Sequence, residues 1–210
     1  MKPQTSSMLR TGLALALLFL APACTSLTDY PVPAQLAGRL TGDTYVAPGG
    51  GWSVAVPAPE SSGTRPVAEV GDAAPNARQT TLLVYHRSQE LEWSVDVLDG
   101  SLPGEPALDA DFMVGFFEWL ATCDDAATPG ARELRADRTE TLDGEPARWL
   151  EAEPGPAAAA DERGCRAVLV KRGPYWVACL VKYPPSARVN EADLEARLTE
   201  LVRSFRVQAR

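Results

Sequence analysis

The stretch CRAVLVKRGPYWVACLVKY, residues 165–183, contains two apolar runs separated by a short turn. Valine is frequent in both runs, and the second run also contains Tyr175, Trp176 and Tyr183; such residues favour strands. Between the runs, Arg172-Gly173-Pro174 supplies the glycine and proline that reverse a chain. The stretch therefore predicts an antiparallel hairpin. Cys179 alternates with Val177 and Val181, which predicts a buried thiol on an apolar face.

More strands are predicted on the N-terminal side of this hairpin. Residues 91–97 alternate between apolar and polar, as a strand with one solvated face requires. Residues 81–86 are its expected antiparallel partner. Asp143-Gly144 is a strong hairpin signal, and it joins residues 133–142 with residues 147–152.

Three glycines at residues 49–51 precede another predicted strand, in which Trp52, Val54 and Val56 alternate with small residues. A phosphate-binding loop would need a helix after it, commonly with a lysine at its start. Because a strand follows instead, the glycines are predicted to shape a turn or a bulge. Residues 57–79, rich in proline, glycine, serine and alanine, are predicted to form a long loop.

Two helices complete the predicted elements. Asp109 is the expected cap of the first helix. Its apolar stripe at helical spacing consists of Phe112, Phe116 and Leu120, with Met113 and Phe117 beside them. An aromatic stripe of this kind can line a ligand pocket, but packing on a sheet is the favoured interpretation. The stripe of the last helix consists of Leu194, Leu198, Leu201, Val202 and Phe205.

This order of elements predicts an α+β fold, in which an antiparallel β-sheet is flanked by helices. Five features of the sequence together resemble the PsbP-like fold. They are Tyr45, the run Gly-Gly-Trp-Ser-Val-Ala-Val-Pro at residues 50–57, a long first loop, a Phe-rich central helix and a closing Ser204-Phe205-Arg206. The resemblance spans roughly residues 42–207. It implies a PsbP-like α/β/α sandwich and a bias toward protein binding without catalysis. No functional residue of that family can be carried over, because no site motif matches.

The N-terminus has the features of an export signal. Lys2 and Arg10 precede an apolar run at residues 12–21, which is too short to span a membrane but suits a signal peptide. The run ends in Leu20-Ala-Pro-Ala-Cys24, which resembles the lipobox of bacterial lipoproteins. That resemblance implies that Cys24 is acylated and becomes the first residue after cleavage. The alternative is an ordinary secreted protein cleaved after Ala23.

These features predict the domain organisation and the location of the protein. Residues 1–23 are expected to be a lipoprotein signal peptide, residues 24–41 a lipidated cysteine with a flexible tether, and residues 42–210 a single domain. Thr25 follows the cysteine where inner-membrane retention usually requires aspartate, so the resemblance implies the outer membrane, facing the periplasm. The net charge of −8 disfavours binding to nucleic acid or, by charge alone, to anionic lipid.

Few residues are candidates for catalysis or metal binding. His86 is the only histidine, and no sequence signal places a nucleophile and a carboxylate around it. The aspartates 109, 111, 124 and 125 could hold a cation, but capping and solubility explain them better. The cysteines lack paired C-x-x-C spacing, so no metal site and no cofactor are predicted.

Export places the cysteines in an oxidising compartment. Cys123 follows a predicted helix and Cys165 begins a predicted strand, and a bridge near element ends does not strain a strand ladder. A disulfide between Cys123 and Cys165 is therefore predicted, although connectivity cannot be deduced from sequence alone.

Two functional hypotheses follow. The leading one is a non-enzymatic envelope lipoprotein, tethered to a membrane by its lipid, that binds or supports another envelope protein through a sheet edge, loops or acidic faces. The alternative is a secreted hydrolase or metal-assisted enzyme that uses His86 or the acidic cluster. The enzyme hypothesis requires His86 and the aspartates to line one deep pocket, and it fails if they are scattered over the surface.

Overall fold

The structure is a computed structural model, and it describes residues 38–57, 68–73, 78–86, 90–101, 108–122, 132–156, 162–185 and 190–208. The strands within these ranges are β1 (Arg39–Thr41), β2 (Thr44–Val46), β3 (Trp52–Ala55), β4 (Ala68–Ala73), β5 (Gln79–His86), β6 (Leu91–Asp99), β7 (Arg132–Leu142), β8 (Glu145–Pro154), β9 (Gly164–Arg172), β10 (Tyr175–Tyr183) and β11 (Arg206–Val207). The helices are α1 (Ala110–Thr122) and α2 (Glu191–Ser204).

The strands form two antiparallel sheets. The large sheet has seven strands in the order β4-β5-β6-β10-β9-β8-β7, and the small sheet has the order β1-β2-β3-β11. The three predicted hairpins, β5–β6, β7–β8 and β9–β10, are all present. In the β7–β8 turn, Asp143 and Gly144 have φ angles of 55° and 87°, as expected for an Asp-Gly turn that matches the twist of its strands.

The large sheet is covered by one helix on each face. Successive side chains of a strand point to opposite faces. On β10, Val177, Cys179 and Val181 therefore join the core under α2, whereas Ala178 and Leu180 join the core under α1. The α+β prediction of an antiparallel sheet between helices is confirmed. The predicted stripe of α2 is also confirmed, because Leu194, Leu198, Leu201, Val202 and Phe205 are all buried.

The predicted stripe of α1 is wrong at Phe112 only, because Met113 and Phe117 are buried and Phe116 and Leu120 pack against the same core. The buried residues of this helix are Met113, Phe117 and Ala121, and these belong to the core over β8, β9 and β10. Phe112 is instead 54% exposed. The helix is apolar on more than one side, so its sequence contains two overlapping stripes and does not determine which one faces the sheet.

Two strands lie where none was predicted. β4 falls inside the predicted loop of residues 57–79 and pairs with β5 at the edge of the large sheet. β1 falls inside the predicted tether and pairs with β2 across a turn that contains Gly42. The sequence of β4 has little β-propensity and β1 is only three residues long, so pairing with a neighbouring strand determines their conformation. Residues 25–37 of the predicted tether lie outside the described residues.

The glycine-rich turn agrees with its prediction. A 3₁₀ turn covers Pro48–Gly50, with Gly49 and Gly50 at φ angles of 74° and 71° that favour glycine. The backbone N–H of Ala47 donates to the carbonyl of Trp52 at 3.0 Å, which leads the chain directly into β3. In the described part of the chain, neither helix is long and apolar enough to cross a membrane.

Candidate functional site

His86 is a core residue in this structure. Its side chain is fully buried at the end of β5, on the α2 side of the sheet. The Nε2 atom lies 3.0 Å from the carbonyl oxygen of Pro57, and the imidazole ring lies 6.3 Å from the ring of Trp93. A histidine enclosed in this way cannot contact a substrate without local opening of the fold.

The aspartates of the predicted acidic cluster lie elsewhere. Asp109 caps α1, since its Oδ1 accepts a hydrogen bond from the backbone N–H of Phe112 at 2.7 Å. Asp111 is exposed in the first turn of the same helix, on the face of the sheet opposite His86. Asp124 and Asp125 lie outside the described residues. Among the described residues no cluster of three or more metal-ligating side chains occurs, and His86 and Asp109 do not share a pocket.

The two described cysteines point to opposite faces of the large sheet. Cys165 is buried in the core under α1, and Cys179 is buried in the core under α2. Burial raises the pKa of the Cys179 thiol, and the nearby Asp96 adds to this effect. The buried-thiol prediction for Cys179 is confirmed. Cys24 and Cys123 lie outside the described residues, so the Cys123–Cys165 bridge stays a prediction.

Arg132 brings the end of α1 close to the start of β9. Its side chain is buried, its Nε donates to the carbonyl of Arg163, and its Nη1 donates to the carbonyl of Ala121 at 3.2 Å. An arginine is well placed there because the carbonyl end of a helix is electronegative. Residue 121 is two positions before Cys123, and residue 163 is two positions before Cys165.

Three aromatic rings follow one another along one side of α1, and we term them the aromatic face: Phe112, Phe116 and Trp119. Phe116 also packs against the core under α1. The rings of Phe112 and Phe116 lie 6.4 Å apart and are nearly parallel, and those of Phe116 and Trp119 lie 6.1 Å apart. Phe116 and Trp119 are half-buried, whereas Phe112 is largely exposed. The sequence of α1 includes two acidic residues, Asp111 and Glu118, and no lysine or arginine.

The edge strand β7 is a less suitable binding surface. A bulge interrupts its pairing with β8 between Leu134 and Ala136. Its charged side chains are also engaged within the protein: Arg138 pairs with Glu140 at 2.7 Å, and Asp137 pairs with Arg148 at 2.6 Å. Bulges and charges protect a sheet edge against the addition of a foreign strand.

An ion-pair network joins α2 to the large sheet. The side chain of Arg166 is 5% exposed and lies within 3.0 to 3.2 Å of carboxylates from Glu151, Glu191 and Glu195. Glu195 also pairs with Arg138 of β7 at 2.8 Å. The network therefore fixes the position of α2 on the sheet. It contains three carboxylates and two guanidinium groups, and the side chain of Glu191 is 75% exposed.

A polar cleft of about 210 Å³ lies on the α2 side, between the glycine-rich turn and the ends of β5 and β6. Its lining includes Gly49, Trp52, Arg78, Asp99 and Tyr175. The sequence prediction identified neither Arg78 nor Asp99, because each stands alone at a strand end and belongs to no motif. It did identify Phe112 and Phe116 of the aromatic face but not Trp119, and it assigned Phe112 to the core.

A scan against protein-family models finds no match, and a search of curated proteins finds no relative. Among solved structures, the chain is similar to the cyanobacterial PsbP protein CyanoP from Synechocystis, with 13% identity, a TM-score of 0.46 and coverage of 88% of this chain and 99% of that chain. It is also similar to a Pseudomonas aeruginosa protein of unknown function, with 11% identity, a TM-score of 0.37 and coverage of 70% and 88%. These values are too low to support an argument about activity or partners, so the fold class rests on the strand order and the helix positions.

Proposed function

We propose that this chain is a non-enzymatic lipoprotein of the bacterial cell envelope that binds another envelope protein through the aromatic face of α1. The observation that carries this proposal is Phe112, which stays 54% exposed on a helix whose neighbouring rings are stacked against it. Covering apolar surface is favourable by about 25 cal/mol per Å². A cluster of adjacent rings on a rigid helix therefore provides a partner with an anchoring point.

The partner is a segment that combines apolar side chains with lysine or arginine. The aromatic face lies beside the exposed carboxylates of Asp109 and Asp111, and α1 offers no basic side chain to a partner. A cation can pack over an aromatic ring and pair with a carboxylate at the same time. The net charge of −8 also favours approach of a basic partner.

The proposal places the protein at the outer membrane, facing the periplasm, with the lipid on Cys24 as its anchor. Support comes from the charged start, the short apolar run and the small residues before the cysteine. A flexible segment over residues 25–37 would reach about 20 Å. Tethering at that distance raises the local concentration of the domain near other envelope proteins.

The anchor is tested by metabolic labelling with a fatty-acid analogue. The wild-type protein is expected to incorporate the label, whereas Cys24→Ala is expected to lose it and to leave the membrane fraction. Equal labelling of both proteins would refute lipidation at Cys24, and would favour the secreted alternative cleaved after Ala23.

Partner binding is tested by placing a photo-crosslinking amino acid at position 112 in the full chain in living cells. A probe at Leu134, which is 40% exposed on β7, is the matched control. Position 112 is expected to crosslink to one envelope protein through a peptide with apolar and basic residues, and position 134 is not. Phe112→Ser should lower recovery of the complex at least tenfold, whereas Leu134→Ser should not.

Three outcomes of this experiment would contradict the proposal. Crosslinking only to lipid would indicate that the aromatic face contacts the membrane. Crosslinking only to a second copy of this chain would indicate self-association. Equal recovery with Phe112→Ser and Leu134→Ser would show that the exposed ring does not contribute to binding.

A further inference from the structure

One end of the large sheet is basic, although the chain as a whole is acidic. Three segments meet there, which we term the basic end: the β7–β8 turn at residues 143–145, the β9–β10 turn at residues 171–174, and residues 203–207 at the end of α2 and in β11. The carboxylate of Asp143 pairs with Arg172 at 3.2 Å and with Arg203 at 3.1 Å. Val207 lies beside Gly173. These contacts bring the three segments together on one surface.

Positive charge exceeds negative charge at the basic end. Its charged residues are four cations, Lys171, Arg172, Arg203 and Arg206, and two anions, Asp143 and Glu145. Two of the guanidinium groups share one carboxylate, that of Asp143. The guanidinium of Arg206 donates to the backbone carbonyls of residues 203 and 205, which carry no net charge. The basic end therefore has a net charge of +2 on a chain whose net charge is −8.

These charges are accessible at the surface. The side chain of Arg203 is 57% exposed, and Lys171 and Arg206 are exposed as well. Val207 adds an apolar side chain that is 46% exposed beside them. Exposed basic and apolar side chains on one surface suit a membrane, because the cations attract anionic headgroups and the apolar group enters the interface.

The N-terminal part of the chain enters the fold on the same small sheet. β1, which follows directly after Gly38, is one edge of this sheet, and β11 is the other. Three strand spacings separate the two edges, or about 14 Å. A flexible segment over residues 25–37 would reach about 20 Å, so a lipid on Cys24 would hold the basic end within reach of the membrane. This step rests on the anchor proposed above.

We propose that the basic end docks on the anionic phospholipid surface of the membrane that holds the anchor. The total charge of −8 opposes binding by charge alone, so the lipid on Cys24 supplies the affinity and the basic end sets the orientation of the domain. The small sheet packs on the α2 side of the large sheet, and α1 packs on the opposite side. This orientation leaves the aromatic face of α1 free for a protein partner.

The proposal is tested on the full chain as cells process it, reconstituted in vesicles, with a photo-crosslinking amino acid at position 207. Vesicles of phosphatidylcholine alone are compared with vesicles that also contain anionic phosphatidylglycerol. Position 207 is expected to crosslink to lipid at least fivefold more in the anionic vesicles. Leu134, which is 40% exposed and lies about 25 Å from the β7–β8 turn along β7, is the matched control position. It should crosslink to lipid equally in both vesicles.

Charge reversal separates the contact at the basic end from the effect of total charge. Each basic residue near an anionic surface favours the contact about fivefold, so Arg203→Glu should lower crosslinking at position 207 at least fivefold. Arg135→Glu changes the total charge equally, at an arginine that is 52% exposed and pairs with Glu133 at 3.3 Å, and should leave crosslinking unchanged. Arg206→Gln, which leaves both Asp143 pairs in place, should also lower it. Free inorganic phosphate at constant ionic strength should not compete, because the ligand is a lipid surface.

Flotation of the same vesicles measures the anchor separately. A chain that floats but crosslinks equally at position 207 in both lipid mixtures would overturn this inference and leave the anchor intact. The same conclusion would follow from equal crosslinking in Arg203→Glu and Arg135→Glu, with thermal unfolding showing both variants folded. In living cells, crosslinking of position 207 only to a protein would assign the basic end to an acidic partner instead. A wild-type chain that does not float would overturn the anchor and, with it, this inference.

Discussion

Replacing Phe117 by alanine is expected to destabilise the protein by about 3–5 kcal/mol. The ring is fully buried in the core between α1 and the sheet, together with Met113 and Ala121. Removing it takes away the transfer free energy of the ring and leaves a cavity that its neighbours fill only in part. A domain of this size is stabilised by only about 5–15 kcal/mol in total, so the loss is a large fraction of its stability.

Phe112 provides a control within the same helix, because it is the same residue type at 54% exposure. Full burial of a phenylalanine contributes about 1.5–3 kcal/mol. Roughly half of that contribution is available at Phe112, so Phe112→Ala should cost about 1 kcal/mol. The expected difference between the two variants is therefore at least about 2 kcal/mol.

Urea midpoints and thermal unfolding of the chain lacking residues 1–24 measure this difference. At about 2–4 °C per kcal/mol for a domain of this size, Phe117→Ala should lower the Tm by about 6–20 °C and Phe112→Ala by about 2–4 °C. If Phe112→Ala is the more damaging variant, the stripe Phe112, Phe116 and Leu120 faces the sheet. The assignment of the aromatic face to the surface would then be refuted.

Three further predictions follow from the core and its charges. Leu198→Ala, at a fully buried position under α2, should cost about 2–5 kcal/mol in urea unfolding, whereas Glu200→Ala on the exposed side should change stability by less than about 0.5 kcal/mol. Non-reducing peptide mapping should find Cys123 joined to Cys165, a bridge worth about 3–4 kcal/mol in the chain-entropy model; a Cys165 recovered as a free thiol would refute it. Burial raises the pKa of Asp96 above its ordinary value of 3.8, so the folded state binds this proton more tightly and stability falls as pH rises from about 4. The urea midpoint of Asp96→Asn should therefore rise relative to that of wild type between pH 4 and pH 7. Parallel pH profiles of the two midpoints would contradict this.

The hairpins could be predicted because their chemistry is local. Asp143-Gly144 and Gly173-Pro174 specify reversals within a few residues, and the alternation of Leu91, Trp93 and Val95 specifies which side of β6 is buried. None of these inferences requires knowledge of residues far along the chain. All of them agree with the structure.

The face of α1 and the strand β4 could not be predicted for the same physical reason, since both depend on distant neighbours. The sequence of α1 allows burial of either Phe112 or Phe117, and contact with β8 and β9 decides between them. The segment Ala68–Ala73 includes Gly71 and Asp72, which disfavour a strand, yet pairing with β5 makes it one. Arg78 and Asp99 become neighbours only because β5 and β6 pair in the observed register.

The order of strands in the large sheet has a consequence for how the chain folds. Among its described strands, only the β6–β10 pair joins segments that are far apart in sequence; the others pair with a sequence neighbour. The register brings Asp99 opposite Tyr175, so forming this pair closes a loop of roughly 75 residues, which is slower than forming a hairpin. The sheet thus consists of two ribbons that can each form early, β4 to β6 and β7 to β10, and a late seam between them. Refolding rates should accordingly respond most to substitutions along that seam, such as at Val95 and Cys179, which face each other across it.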